Sequence, residues 1–304
     1  MKTRFLFPHQ LRPLGWILAL PGFVLGYLSV YRGYKVPNFS ISIWPRSPYF
    51  HGPISQDLTN TLALILVIVG LFLVAFSKEK KEDELTSKMR QNALYWAVLI
   101  NYMIYLVWLL TSITIELFKL DKDPLSSLSD ILGMSIYNLF TPLVIFIIRY
   151  NYLRYSKNGE YMVGRLYYLP EKPYKLIGRL ISIPLLGLIV LMCMYSWVSR
   201  NSIDISGTGL DVALLFLPLS LLIWGYSKEK NEGEFVSTLR LESMQLAVYV
   251  NYAILLMANF LFYFLDFMLV MFFNLGTIAL FFVLRFSYLL WKHNKGSMKG
   301  TFAI

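Results

Sequence analysis

Residues able to hold an anion or a polar solute recur in this chain at matched positions: Glu79, Arg90 and Asn101, and again Glu229, Arg240 and Asn251. In both sets the guanidinium lies 11 residues after the carboxylate and the amide 11 residues after that. On a helix turning 100° per residue, these positions, with Ala97 and Ala247, fall within about 40° of one line. Such a line can form a polar site at one end of a helix bundle. The arginines would bind an anionic group and the asparagine amides would line the floor, with the glutamates on the same line. The same stripe also suits a packing face, where Ala permits close approach, Asn bonds across helices and Arg ends at the headgroups. On that second reading, replacing the asparagines or arginines costs little.

Both sets sit in one duplicated stretch. "SKEKKEDELTSKMRQNALYWAVLINY" (77–102) and "SKEKNEGEFVSTLRLESMQLAVYVNY" (227–252) align without a gap at an offset of 150, with 12 of 26 positions identical. Apart from Gly233 the stretches lack Gly and Pro, so a continuous helix from about 79 to 101 is expected, with Lys78–Glu82 and Lys80–Glu84 as i,i+4 pairs on a solvated face. Lys228–Glu232 and Lys230–Glu234 repeat the pattern. A second pair, "NLFTPLVIFIIRYNYL" (138–153) and "NLGTIALFFVLRFSYL" (274–289), matches at 7 of 16 positions. Pro21 and Pro184 hold comparable places in "LALPGFVLGYL" and "ISIPLLGLIVL", a weaker match.

The elements that must carry these residues are apolar. Of 304 residues, 57% are hydrophobic and 15% charged, against roughly 25% charged in soluble domains. Eight runs are long enough to be read as membrane spans: about 14–31, 58–76, 94–117, 131–148, 178–198, 210–226, 244–265 and 268–291. The first follows Lys2, Arg4 and Arg12 but lacks a clean small-x-small cleavage site, so it is read as a retained span. With the N-terminus inside, the inner segments hold 22 of the 28 Lys and Arg residues and the outer loops hold 6. That bias places both termini in the cytoplasm and explains the net charge of +10 without nucleic acid.

Four spans return the chain to its starting side. The expected fold is an all-α integral membrane protein with eight transmembrane helices as two parallel four-helix repeats, residues 1–155 and 177–304, joined by a cytoplasmic linker at 156–176. The pattern S-K-E-K-x-E-x-E, then Arg90 or Arg240 six residues on, then A-V-x-x-N-Y, resembles a motif of uncharacterised multi-pass membrane proteins of bacteria, some of which carry it once. The resemblance covers about residues 75–155 and 225–290. It implies the bacterial cytoplasmic membrane, no particular activity and no residue roles.

Other chemistry is sparse. His9, His51 and His293 fall in three separate non-membrane segments, Cys193 is the only cysteine, and no phosphate loop or hydrolase motif occurs, so neither an enzyme nor a cofactor or metal site is expected. Glu116 and Asp266 correspond about 15 residues beyond their asparagines, at the outer interface, where capping or a cation contact is expected. The stretch 149–179 combines seven basic residues with seven tyrosines, a composition that anchors at anionic lipid headgroups. In the outer loop, "FSISIW" alternates as a short hairpin strand or a surface segment would. Two function classes remain. One is a regulatory or scaffold protein that meets a cytoplasmic partner at 78–90 and 228–240. The alternative is a small-solute carrier or channel with a polar site between spans three and seven.

Overall fold

The computed structural model describes residues 6–43, 54–80, 82–118, 138–155, 166–199, 210–230, 232–262 and 265–301. Within them lie eight helices: α1 (Leu11–Arg32), α2 (Thr59–Phe76), α3 (Glu84–Leu117), α4 (Thr141–Tyr155), α5 (Tyr174–Ser199), α6 (Leu210–Gly225), α7 (Glu234–Leu261) and α8 (Leu265–Thr301). One antiparallel hairpin joins β1 (Ser40–Ile43) to β2 (Ile54–Asp57), so "FSISIW" does enter a strand. Six of the helices are long and apolar enough to cross a membrane, and Val212–Gly225 is a shorter apolar helix. The protein is therefore an all-α chain of membrane type.

The chain divides into two compact units. The first comprises Met1–Asn101, Ile136–Val163 and Tyr252–Met271, and the second Tyr102–Ser135, Gly164–Asn251 and Phe272–Ile304. Each unit thus takes the first half of its own long helix and the second half of the other's. α3, with 34 residues at 1.5 Å each, extends about 51 Å, more than one ~30 Å hydrocarbon crossing.

In the first unit α1 lies against α2 through small residues. A Cβ on Gly15 would sit 2.7 Å from Gly70 O, and one on Gly70 would sit 2.5 Å from Ala19 N, so the two backbones touch where side chains are absent. The second unit repeats this with α5 on α6, where a Cβ on Gly178 would meet Trp224 N at 2.7 Å. Gly15 and Gly178, like Pro21 and Pro184, are 163 residues apart. Ala19 and Ser182 share that offset and are fully buried, while the outward faces, including Ile17, Leu20, Leu180 and Leu191, are open as lipid-facing surfaces are.

Each unit also has an aromatic core beside α3 or α7. Phe76 stacks on Phe146 at 5.3 Å in the first, and Tyr226 meets Phe282 edge-on at 6.2 Å in the second. The A-V-x-x-N-Y residues are buried in both copies: Ala97, Val98, Asn101 and Tyr102, and Ala247, Val248, Asn251 and Tyr252.

Candidate functional site

The expected continuous helix through the charged motif does not form. Residues 77–80, 82–83, 227–230 and 232–233 are not helical, and α3 and α7 start only at Glu84 and Glu234. Tertiary hydrogen bonds override the high helix propensity of Lys and Glu here. Phe7 pairs with Ser77 as a parallel bridge, its N–H donating to Phe76 O at 2.9 Å while Lys78 N–H donates back to Phe7 O at 2.9 Å. Leu169 does the same with Ser227: its N–H reaches Tyr226 O and Lys228 N–H reaches Leu169 O, both at 2.9 Å. An extended segment before α1 or α5 therefore staples the loop in each unit.

Inside the loop the shared Ser, Glu and Arg residues make matched bonds. The Ser77 hydroxyl donates to Leu73 O and the Ser227 hydroxyl to Ile223 O, closing the last turns of α2 and α6. Glu82 Oε2 accepts from Glu79 N–H at 3.0 Å, and Glu232 Oε2 from Glu229 N–H at 2.8 Å. Arg90 Nη1 donates to Ala75 O (3.1 Å) and Ser77 O (3.2 Å), and its Nη2 reaches Glu82 Oε2 at 3.3 Å. Arg240 does so more tightly, to Gly225 O at 2.7 Å, Ser227 O at 2.8 Å and Glu232 Oε2 at 2.9 Å. Helix C-termini leave carbonyls without intrahelical donors, and a cation there also suits the helix dipole. Each arginine supplies both.

This corrects two expectations. The arginines do not end at headgroups: Arg90 is 3% and Arg240 0% exposed, and each guanidinium lies near aromatic faces, Tyr150 at 5.2 Å for Arg90, Tyr168 at 4.3 Å and Phe286 at 4.8 Å for Arg240. The i,i+4 pairs give way to others, because Glu82 and Glu232 bind the arginines and Glu84 binds Lys88 at 3.0 Å. Glu79 and Glu229 leave the helical line with the loop.

The asparagines bond within their own units. Asn101 Nδ2 donates to Asn138 Oδ1 at 2.6 Å. Asn251 Oδ1 accepts from the Thr277 hydroxyl, which also lies 3.0 Å from Asn274 O. These are cross-helix ties between α3 and the start of α4, and between α7 and α8. The side chains of Glu116 and Asp266, and residues 156–165 of the linker, lie outside the described residues.

The first Glu of the motif is where the copies diverge. Glu229 pairs with Lys175, at the start of α5. Glu79 pairs with Arg12, the residue 163 before Lys175, and additionally with Arg154 at 2.8 Å and the Tyr150 hydroxyl at 3.1 Å. Burial pushes the Tyr150 hydroxyl's pKa up, Arg90 opposes and the Glu79 charge adds, so the phenol stays a donor. A cleft of about 550 Å³ opens over this cluster, lined by His9, Arg12, Glu79, Lys80, Thr86, Met89, Tyr150 and Arg154. His9 Nδ1 stands 3.1 Å from Lys78 O, which can only accept, so that nitrogen carries the proton. Sequence reasoning missed Arg12, Tyr150 and Arg154 as partners of Glu79. The one signal in the sequence was Lys175 and Arg12 standing at the offset shared by Pro21 and Pro184.

Among the described residues no three His, Cys, Asp or Glu side chains form a metal-holding group. The architecture defines a multi-helix, membrane-type protein in which each unit holds one arginine clamp. No protein-family model, curated protein or solved structure matches the chain.

Proposed function

We propose that the chain is a non-catalytic integral membrane protein of the bacterial cytoplasmic membrane. It has eight spans as two parallel four-helix repeats, both termini inside, and acts as a regulatory or scaffold module through its cytoplasmic face. One observation carries the reading. The residues identical in the two motif copies fall into inward ones that clamp the loop and outward ones that do not, and Lys78, Lys80, Lys228 and Lys230 are all exposed. The positive-inside rule requires basic residues on this side but not at matched positions of a clamped loop. A surface presented twice in fixed geometry suits docking of a cytoplasmic protein, with the basic, Tyr-rich stretch 150–179 resting on anionic headgroups. The carrier alternative would need Asn101 and Asn251 free to meet a solute, and their ties to Asn138 and Thr277 favour a packing role instead.

The test is in-cell photo-crosslinking from positions 80 and 230. A discrete adduct with the same cytoplasmic protein is expected from both, lost when Lys78 and Lys228 are changed to Glu. Adducts with lipid alone, or none, would overturn the docking role. Reporter fusions at 85, 160 and 235 should read as cytoplasmic and those at 45, 124 and 204 as external, and an external reading at 160 would refute the arrangement of spans.

A further inference from the structure

The cleft of the first unit holds more than its frame requires. The second unit builds the same clamp, Arg240 on two carbonyls and Glu232, with Glu229 held by Lys175. Where the first unit has Tyr150 and Arg154, the second, at the offset of 136 seen between 138–153 and 274–289, has Phe286 and Leu290. Tyr150 and Arg154 are therefore dispensable for the fold of the loop. Their presence calls for another explanation, and the charge of the cleft supplies it.

Its lining carries three fixed cations, Arg12, Lys80 and Arg154, against one carboxylate, Glu79. Glu79 is buried and takes one Nη1 from each arginine, so it acts as an internal counter-ion that aims two guanidinium forks while neutralising only one charge. Arg12 spends its Nη2 on Asn151 Oδ1 at 3.3 Å, whereas the Arg154 side chain is 39% exposed and keeps donors for a ligand. Lys80 is exposed and makes no ion pair among the described residues. Two surplus positive charges, one planar fork and one ammonium around an open space match a tetrahedral dianion whose oxygens accept from both. The volume lies within the usual range of small-ligand pockets, and Met89 adds an apolar wall for an organic substituent.

We infer that this cleft binds a phosphate ester, with Arg154 and Lys80 as direct donors and Arg12 aligned by Glu79 behind them. A lipid headgroup and a soluble ester present the same phosphoryl oxygens, and the two arms of the experiment distinguish these sources. The cleft shares Lys80 with the proposed docking surface and Tyr150 and Arg154 with the stretch 150–179, but its argument rests on neither of those roles.

The experiment uses the full chain in phosphatidylcholine nanodiscs and measures equilibrium binding of radiolabelled glycerol 3-phosphate. A parallel arm uses discs doped with phosphatidic acid and counts lipid retained by native mass spectrometry. Saturable binding at one site per chain is expected in at least one arm. Saturation by glycerol 3-phosphate identifies a soluble source, and saturation by phosphatidic acid alone identifies a headgroup. Arg154→Leu, which installs the second unit's residue, should weaken binding by about tenfold through loss of a charge-assisted fork. Lys80→Ala should weaken it severalfold while leaving the thermal midpoint of the free protein unchanged, so it decides the matter if Arg154→Leu fails to fold. No saturable binding at millimolar probe in either arm, or affinity unmoved by both variants, overturns the site and leaves Glu79 as the centre of a structural ion-pair network. Either result is separate from the crosslinking outcome.

Discussion

Arg240→Ala is expected to be among the most damaging single replacements in this protein. The guanidinium is fully buried and satisfies Gly225 O at 2.7 Å and Ser227 O at 2.8 Å while pairing with Glu232 at 2.9 Å. Truncation leaves two carbonyls at the end of α6 without a donor and a carboxylate without its cation. Breaking a buried pair from one side costs about 3–5 kcal/mol, and because the Glu232 side chain keeps 20% exposure the lower end, about 3 kcal/mol, applies. Arg90 makes the same contacts at 3.1–3.3 Å and faces one ring at 5.2 Å, so Arg90→Ala should cost less, about 2 kcal/mol. Arg240→Lys should recover less than half of the loss, since one ammonium cannot span both carbonyls and the carboxylate. Unfolding in mixed nonionic and ionic detergent micelles, followed by circular dichroism, reads the difference. A loss below about 1 kcal/mol for Arg240→Ala, or full rescue by Lys, would show that the clamp does not hold the loop.

Three further outcomes follow from the same structure. Asp83 accepts from the Thr86 hydroxyl at 2.6 Å and from Thr86 N–H at 2.7 Å, capping α3, and those bonds, the hydroxyl's first, hold its pKa below the usual value. Asp83→Ala should cost about 1 kcal/mol at neutral pH, a contribution present above the unfolded-state pKa of about 3.9 and lost as pH falls through the lower folded value; a pH-independent deficit would disprove the cap. Conversely Gly233→Asp, at an open position where a Cβ would have nothing within 4 Å, should stabilise α7 by about 0.3 kcal/mol, and a destabilised variant would contradict the equivalence of the two helix starts. Asn101→Leu and Asn251→Leu should each cost about 0.6 kcal/mol, the average cross-helix bond in membranes, and a larger loss in either would signal a role beyond packing.

Much of the helical frame is legible in the sequence because lipid demands long apolar runs, and all eight runs overlap helices. The likeness of the two motif copies is legible where polar residues are pinned to tasks, as at Ser77, Glu82 and Arg90. It fades across α1 and α5, where lipid accepts any apolar side chain and only Gly15, Pro21 and Arg12 leave a trace against Gly178, Pro184 and Lys175. The break before Glu84 could not be read, because Lys and Glu favour helix locally and the bonds that win come from Phe7, some 70 residues away. The cleft was hidden for a related reason: Glu79 finds Arg12 67 residues before it and Arg154 75 residues after it, separations that no local pattern encodes.

A ribosome makes the last piece of the first unit late. Tyr252–Met271 belongs to that unit, where Asn259 Nδ2 bonds Thr61 O at 3.2 Å and Tyr252 lies 6.0 Å from Phe72. Between Val163 and Tyr252 the chain grows through the body of the second unit, a delay on the order of 5–20 s at ordinary elongation rates. During that interval α2 has its clamp and its α1 partner but an unfilled flank, which the insertion machinery or lipid must cover. Neither half of the gene therefore encodes a piece able to mature by itself, and two half-chains split near residue 160 should accumulate only when made together.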